Sequence, residues 1–470
     1  MTVETCWKHI EFLSCVQGIE DSLRRGEGER SGMAVESLKV LRARVVLPIR
    51  QPRLPNAAVV VSGGRIQAVG QWKDLRPHCA GSPTDLGEVA LLPGLVNAHC
   101  HLDYTDMAGQ LAPSRSFTDW IKRITELKGA WNRDDFARSW WHGAQMLIRT
   151  GTTVVGDVES APDLLPEMWQ ATPLRLTSFI ELTGVKSRRT PRAILDEALA
   201  AIAALPRGRH RAFLSPHAPY STPPELLRRC GAITRRRRWR ITTHVAESEE
   251  EYAMFTRRGG PMFDWLERNQ RDMSDCGGIS PIQHLARQNL LGDRLLAVHA
   301  NYLDRGDADL LAINRVHVIH CPRSHAYFGH RPFPVTALMR RGVNVCLGTD
   351  SLATVATPRG QTAALDLFEE MRVFAQAHPR WPPDAVLRLA TLNGARALGF
   401  AGRVGEITPG AWADLIAIPS SVGLREVAAA LVHNRQPVVA AMIGGEWIAG
   451  FPGAYCTPSV QSAVGLREAL

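Results

Sequence analysis

Short apolar runs alternate with segments of helical length through the middle of this chain. Eight such runs can be counted, over residues 96–101, 151–158, 174–182, 211–219, 239–247, 295–303, 316–324 and 344–351. Stretches such as 223–230 and 361–377 have the length and period of helices. Strands that alternate with helices predict a parallel sheet. Eight of them in this span suit a (β/α)8 barrel, for which about 250 residues is typical. Polar side chains recur where the apolar runs end, at His101, Glu247, His299 and Asp350. In a barrel of this kind the C-terminal ends of the strands form the active face.

The chain ends follow a different pattern. Residues 39–47 alternate like a strand, and 57–62 and 65–69 flank Gly63-Gly64, a hairpin signal. Residues 413–418 and 437–443, then Gly444-Gly445 and 446–448, repeat that pattern near the other end. Two strand-rich ends around one barrel predict a small β-sandwich built from both. The expected organisation is an N-terminal extension over 1–37, a composite sandwich over 38–91 and 406–455, and a barrel over 92–405. The extension is rich in Gly, Glu and Arg from Ser22 to Gly32 and lacks apolar periodicity, so its removal is expected to leave the fold intact.

Composition changes this picture little. A chain of 470 residues can bury a large core and more than one domain. No apolar run is long enough for a membrane span, and the N-terminus lacks the layout of a secretory signal. A cytoplasmic protein is expected. The nine cysteines show no paired spacing, and Cys100, Cys321 and Cys346 fall inside predicted strands, which reads as buried free thiols. The net charge of +9 centres on Arg235-Arg236-Arg237-Arg238, which precedes a strand at the inactive side of the barrel. That run reads as a solvated face, with no nucleic-acid or membrane partner.

The chemistry lies at the strand ends. In a strand, residues i and i+2 share a side, so His99 and His101 can converge on one point. His244 ends the fifth run and Asp350 the eighth. Three imidazoles and a carboxylate suit one Zn²⁺ or Fe²⁺, with a position left for water. Glu247, three residues past His244, is placed to move protons near an apolar mouth that raises its proton affinity. His217 on the fourth run faces the same way. Trp120, after the first strand, either lines the pocket or anchors the core. His320 reads equally as a group supporting the metal or as a structural one.

The run from Leu92 to Asp103, Ser215-Pro216-His217-Ala218-Pro219-Tyr220-Ser221, His244-x-x-Glu247, His299, His320-Cys321-Pro322 and Gly348-Thr349-Asp350 together resemble the amidohydrolase superfamily. The likeness covers nearly all of residues 38–450. It is strongest to the cytosine/adenosine deaminase-related branch, with the guanine deaminases, the methylthioadenosine/S-adenosylhomocysteine deaminases and the triazine chlorohydrolases. The resemblance implies that His99, His101, His244 and Asp350 hold metal, that Glu247 and Asp350 transfer protons, and that His299 polarises the attacking water. It implies that His217 contacts substrate. Two-metal members often carry a carboxylated lysine at the end of the fourth strand. None stands between Arg211 and His217, which agrees with one metal per chain.

The implied activity is that of a hydrolase of carbon–nitrogen bonds other than peptide bonds. It would replace an amino group on a heteroaromatic or nucleoside-like ring through hydroxide attack. Release of a halide, or opening of an amide, is the alternative enzyme reading within the superfamily, and a non-catalytic scaffold on the same fold, as some superfamily members are, is the alternative of a different class. A small molecule is the expected substrate and a homodimer the expected assembly. The chain departs from the branch after the seventh strand, where His325 replaces a common Asn and aromatic groups follow. The loop 324–330 is therefore expected either to touch substrate, through His325, Tyr327 and His330, or to pack against the next helix. The insertion over 255–294 is expected to contribute to a lid.

Overall fold

The computed structural model describes residues 38–450 except 80–81, 112–113, 115, 186–188 and 357–361. The expected extension over 1–37 lies outside the described residues, as do 451–455 at the end of the expected sandwich.

The two ends of the described region build one sheet. Its strands are β1 (Lys39–Val46), β2 (Leu54–Ser62), β3 (Arg65–Gln71), β4 (Thr84–Asp85), β5 (Val89–Pro93), β14 (Leu415–Pro419), β15 (Ala440–Ile443) and β16 (Glu446–Trp447). The order is β16-β15-β14-β5-β1-β2-β3, with β4 paired to β1. The sheet curls over a core that includes Leu41, Val59, Ile66, Leu91, Leu415 and Met442. Arg65 on the β3 edge comes back to pair with Trp412, just before β14. Two glycine turns make this closure possible. Gly64 and Gly444 both have positive φ, and a Cβ on Gly64 would lie 2.7 Å from the Gly444 carbonyl oxygen.

The middle of the chain closes into the barrel. Its strands are β6 (Leu95–Cys100), β7 (Thr152–Glu159), β8 (Arg175–Leu182), β9 (Arg211–Pro216), β10 (Ile241–Val245), β11 (Leu295–His299), β12 (His317–His320) and β13 (Asn344–Leu347). They run in sequence order, and each pairs in parallel with its neighbour in that order. Closure is made where β6 meets the chain after β13. The Thr349 amide donates to the His99 carbonyl at 3.0 Å, and Cys100 bridges Asp350. Strand interiors such as Val96, Val154, Phe179, Val298 and Ile319 fill the barrel, together with Leu398 and Phe400. Cys100, Cys321 and Cys346 are buried free thiols, as their setting in apolar strands predicts.

Every predicted barrel strand is present, but most end earlier than the sequence pattern suggests. The strand expected over 295–303 stops at His299 and that over 344–351 at Leu347. The reason is backbone conformation. Ala246, His299, Ala300 and Asp350, at or just past the strand ends, all adopt positive φ, outside the extended region that a strand needs. Non-glycine residues hold such conformations at a cost, and they gather at functional sites.

Arg175 on β8 ties the barrel to the terminal sheet. Its guanidinium donates to Asp414 at 2.6 and 3.0 Å, and it lies 3.9 Å over the Trp412 ring. The Asp414 carboxylate also accepts from the Gly444 amide at 2.7 Å. No described helix is long and apolar enough to cross a membrane.

Candidate metal centre and active site

Three imidazoles meet at the C-terminal mouth of the barrel. The ligand atoms of His99, His101 and His244 lie within 4.8 Å of one another. The Asp350 carboxylate is 3.7 Å from His99 Nε2 and 3.8 Å from His101 Nε2. His99 Nε2 is buried with no hydrogen-bond partner. His244 Nδ1 donates to the His217 carbonyl at 2.9 Å. That bond fixes the tautomer and turns the Nε2 lone pair of His244 toward His101 Nε2, 3.3 Å away. Burial pushes His101 down to about 3 and His244 well below the usual range, with neighbouring imidazoles adding to both shifts. The rings of His101 and His244 are therefore neutral at pH 7, as metal ligands must be. An orphaned, buried ring nitrogen among neutral imidazoles and a carboxylate is a donor set that fits a divalent metal.

Cys321 also lies within 4.8 Å of His299 and Asp350. Burial raises its thiol well above the usual range, so it packs as a protonated thiol.

Glu247 follows the turn that ends β10 and is buried. Its Oε1 is 3.4 Å from His299 Nε2, which in turn is 4.0 Å from Asp350 Oδ2. Burial, with the nearby charges of Asp350 and Glu251, pushes the Glu247 carboxyl well above its usual range. Burial also pushes His299 down to about 3. The Glu247 peptide is held from both sides. Ser248 caps the helix Glu249–Arg257 and places Glu251 in its first turn. The buried Glu251 carboxylate accepts from the Glu247 amide at 2.8 Å. Asn301 donates to the Glu247 carbonyl at 2.9 Å, and His325 Nδ1 lies 3.0 Å from the Asn301 carbonyl oxygen.

A cavity of about 310 Å³ opens against this centre. His101, His244, Glu247, His299 and Asp350 line one side, and Trp120, Ile121, Ile124, Trp265 and Leu266 the apolar other. His217 and Trp120 line it, where the sequence expects substrate contacts. His325 and Tyr327 do not. The segment expected as a loop forms a helix, Pro322–Tyr327. It aims His325 at Asn301, while Tyr327 packs against Phe328 and not into the cavity. His320 stacks on Phe333 at 3.8 Å, a packing role. The insertion after β10 forms helices Pro261–Arg268 and Pro281–Arg287, and its Trp265 and Leu266 wall the cavity.

Sequence reasoning did not find Tyr104, Lys128, Glu181 or Glu251. Glu181 ends a predicted strand, and that position is the signal that could have found it. Lys128 comes from a helix whose approach to the cavity no local pattern encodes.

Comparison with known proteins agrees with this geometry. A 5-methylthioadenosine/S-adenosylhomocysteine deaminase of Syntrophobacter fumaroxidans is 33% identical over 384 residues, covering 78% of this chain and 80% of its own. A 5'-deoxyadenosine deaminase of Methanoregula boonei is 32% identical over 363 residues, covering 73% and 75%. Among solved structures, an adenosine deaminase from Xanthomonas campestris with bound zinc superposes with a TM-score of 0.75. It is 26% identical, with 87% of this chain and 92% of that one covered. Residues 90–448 match the Amidohydrolase family, and this chain therefore belongs to the amidohydrolase family.

Proposed function

We propose that this protein is a metal-dependent aminohydrolase that converts an amino-substituted, purine-like nucleoside to its oxo form with release of ammonia. One observation carries the reading above the others. Glu247, with its proton affinity raised by burial, faces the same cavity as a convergent set of His99, His101, His244 and Asp350. The names of the relatives supply the substrate class: two are deaminases of adenosine-type nucleosides, 33% and 32% identical.

His99, His101, His244 and Asp350 would hold one divalent ion, with zinc favoured over iron by the zinc-containing solved structure. An ion there supplies Lewis acidity, which brings the pKa of water towards about 7. The rest is the work of side chains. The Trp120 and Trp265 wall excludes solvent and offers faces for a planar ring. His217 offers a polar contact at the ring edge. His299 orients the attacking water between Glu247 and Asp350. Glu247 Oε1 takes a proton from that water and passes it to a ring nitrogen. It then helps deliver one to the departing amine, so that water and the C–NH2 group become C=O and ammonia.

Glu247→Gln is the test. It keeps the shape of the side chain and removes proton transfer, which is worth typically about 10²–10⁴-fold. The variant should retain metal and fold but lose turnover of 5'-deoxyadenosine by that factor. Unchanged turnover with metal retained would remove Glu247 from the mechanism.

A further inference from the structure

Much of the cavity's apolar wall is carried by the helix Phe117–Ala130, one of two α-helices between β6 and β7. Trp120, Ile121 and Ile124 line the cavity, at spacings that fall on one face of a helix. The first turn of this helix serves its own amides only in part. The Ser116 hydroxyl accepts from the Asp119 amide at 3.3 Å, and the Ser116 carbonyl from the Trp120 amide at 3.1 Å. The amides of Phe117 and Thr118 remain, and the first amides of a helix have no partner within it. Both go to Glu250. Its Oε1 accepts from the Phe117 amide at 3.1 Å and its Oε2 from the Thr118 amide at 2.7 Å. The Thr118 hydroxyl donates to Oε2 as well. Thr118 is buried and Glu250 half-buried. A carboxylate at this place also meets the positive end of the helix.

What sets Glu250 apart is the other work of its own helix. The helix Glu249–Arg257 is capped by Ser248, the residue after Glu247. The residue after Glu250 is Glu251, whose carboxylate accepts from the Glu247 amide at 2.8 Å. Successive residues of a helix point about 100° apart, so Glu250 and Glu251 reach in different directions from one turn. One bonds the residue that carries the proton, and the other bonds the helix that carries the wall. We propose that Glu250 is a positioning residue, which clamps the helix Phe117–Ala130 to the turn bearing Glu247. The clamp fixes the Trp120 face relative to the proton carrier. The inference rests on the deaminase reading only for the identity of the molecule bound. Without the clamp, the metal ligands and Glu247 keep their own bonds, while the face of Trp120, Ile121 and Ile124 is free to shift. The loss then falls on binding that ground state and transition state share, which raises KM and spares kcat.

Glu250→Ala and Glu250→Gln are compared with wild type as metal-loaded protein. Gln keeps the shape of the side chain, but its NH2 group cannot accept from an amide. With 5'-deoxyadenosine as substrate, KM should rise on the order of tenfold in both variants, as expected when hydrogen bonds to a charged group are lost. Values of kcat should stay within about twofold of wild type, with metal content unchanged. Glu249→Gln is the control, one residue away and bonded to Arg257; it should leave both constants as they are. Hydrogen exchange reads the clamp without any substrate. The amides of residues 117–124 should exchange at least about tenfold faster in Glu250→Gln, and those of 241–247 at the wild-type rate. If metal-loaded wild type turns over neither 5'-deoxyadenosine nor adenosine, the deaminase reading falls and exchange alone decides the clamp. Unchanged exchange over 117–124 in either folded variant overturns it. So does a fall in kcat as large as any rise in KM, which a general loosening of the fold would give, and so does an equal response to Glu249→Gln.

Discussion

Removing the carboxylate of Asp414 should loosen the whole chain, although it lies far along the sequence from any predicted site residue. Arg175 and Asp414 meet through two short hydrogen bonds, with side chains 8% and 1% exposed. They join the third barrel strand to the segment that opens β14. In Asp414→Ala the Arg175 guanidinium stays buried on Trp412 without a counter-charge, and the Gly444 amide loses its acceptor. Breaking one partner of a buried pair costs about 3–5 kcal/mol. Unfolding entropy of about 2.1 cal/mol/K per residue, over the roughly 400 described residues, gives about 0.85 kcal/mol/K. The midpoint of thermal unfolding should therefore fall by about 3.5–6 °C. Scanning calorimetry of metal-loaded protein measures it. The second arm is Arg175→Met on the Asp414→Ala background. It removes the stranded charge and should recover part of the loss, because the penalty lies in the unpaired ion and not in the missing attraction. A loss under about 1 °C for the single variant would refute the reasoning, as would a double variant less stable than either single one.

Other expectations follow from the site. Metal analysis of purified protein should find one equivalent of divalent ion per chain, and His99→Ala should lower it, since His99 Nε2 has no other partner; two equivalents in wild type would count against a single four-ligand site. Asn301→Ala strips the hydrogen bond from the Glu247 carbonyl and should lower kcat roughly tenfold with KM little changed, as expected for about 1–2 kcal/mol lost in positioning; an effect confined to KM would speak against that role. His325→Asn should alter kcat/KM by a similar factor for every substrate, because His325 reaches Glu247 through Asn301 and does not line the cavity; a change in substrate ranking would restore it as a substrate contact. Gly348→Ala should cost metal binding and fold together, since its Cβ would stand 2.7 Å from the His99 carbonyl oxygen at the barrel seam; a well-folded, metal-replete variant would show that the seam can open.

The barrel was legible in the chain because its signal is local. Parallel strands buried on both faces need apolar runs, and the crossovers between them need helices, so the alternation states the architecture. The candidate ligands were legible for the same reason. His-x-His puts two imidazoles on one side of β6, and His244 and Asp350 end apolar runs, so strand geometry alone directs them to one mouth. The glycine pairs 63–64 and 444–445 marked their hairpins through the positive φ those turns require.

Tertiary structure decided what no local pattern encodes. Strand-end residues such as His299 and Asp350 stand at backbone turns with positive φ, a conformation that residue type alone does not specify. His325 and Tyr327 carry the chemistry of substrate contacts, but the helix Pro322–Tyr327 turns them away from the cavity. Lys128 and Glu181 stand 53 positions apart, and only the packing of a helix over the end of β8 makes them a pair. The Arg175–Asp414 bond spans 239 positions. Charge pairs of this kind have no sequence period, because their partners are chosen by three-dimensional proximity after the apolar core has formed.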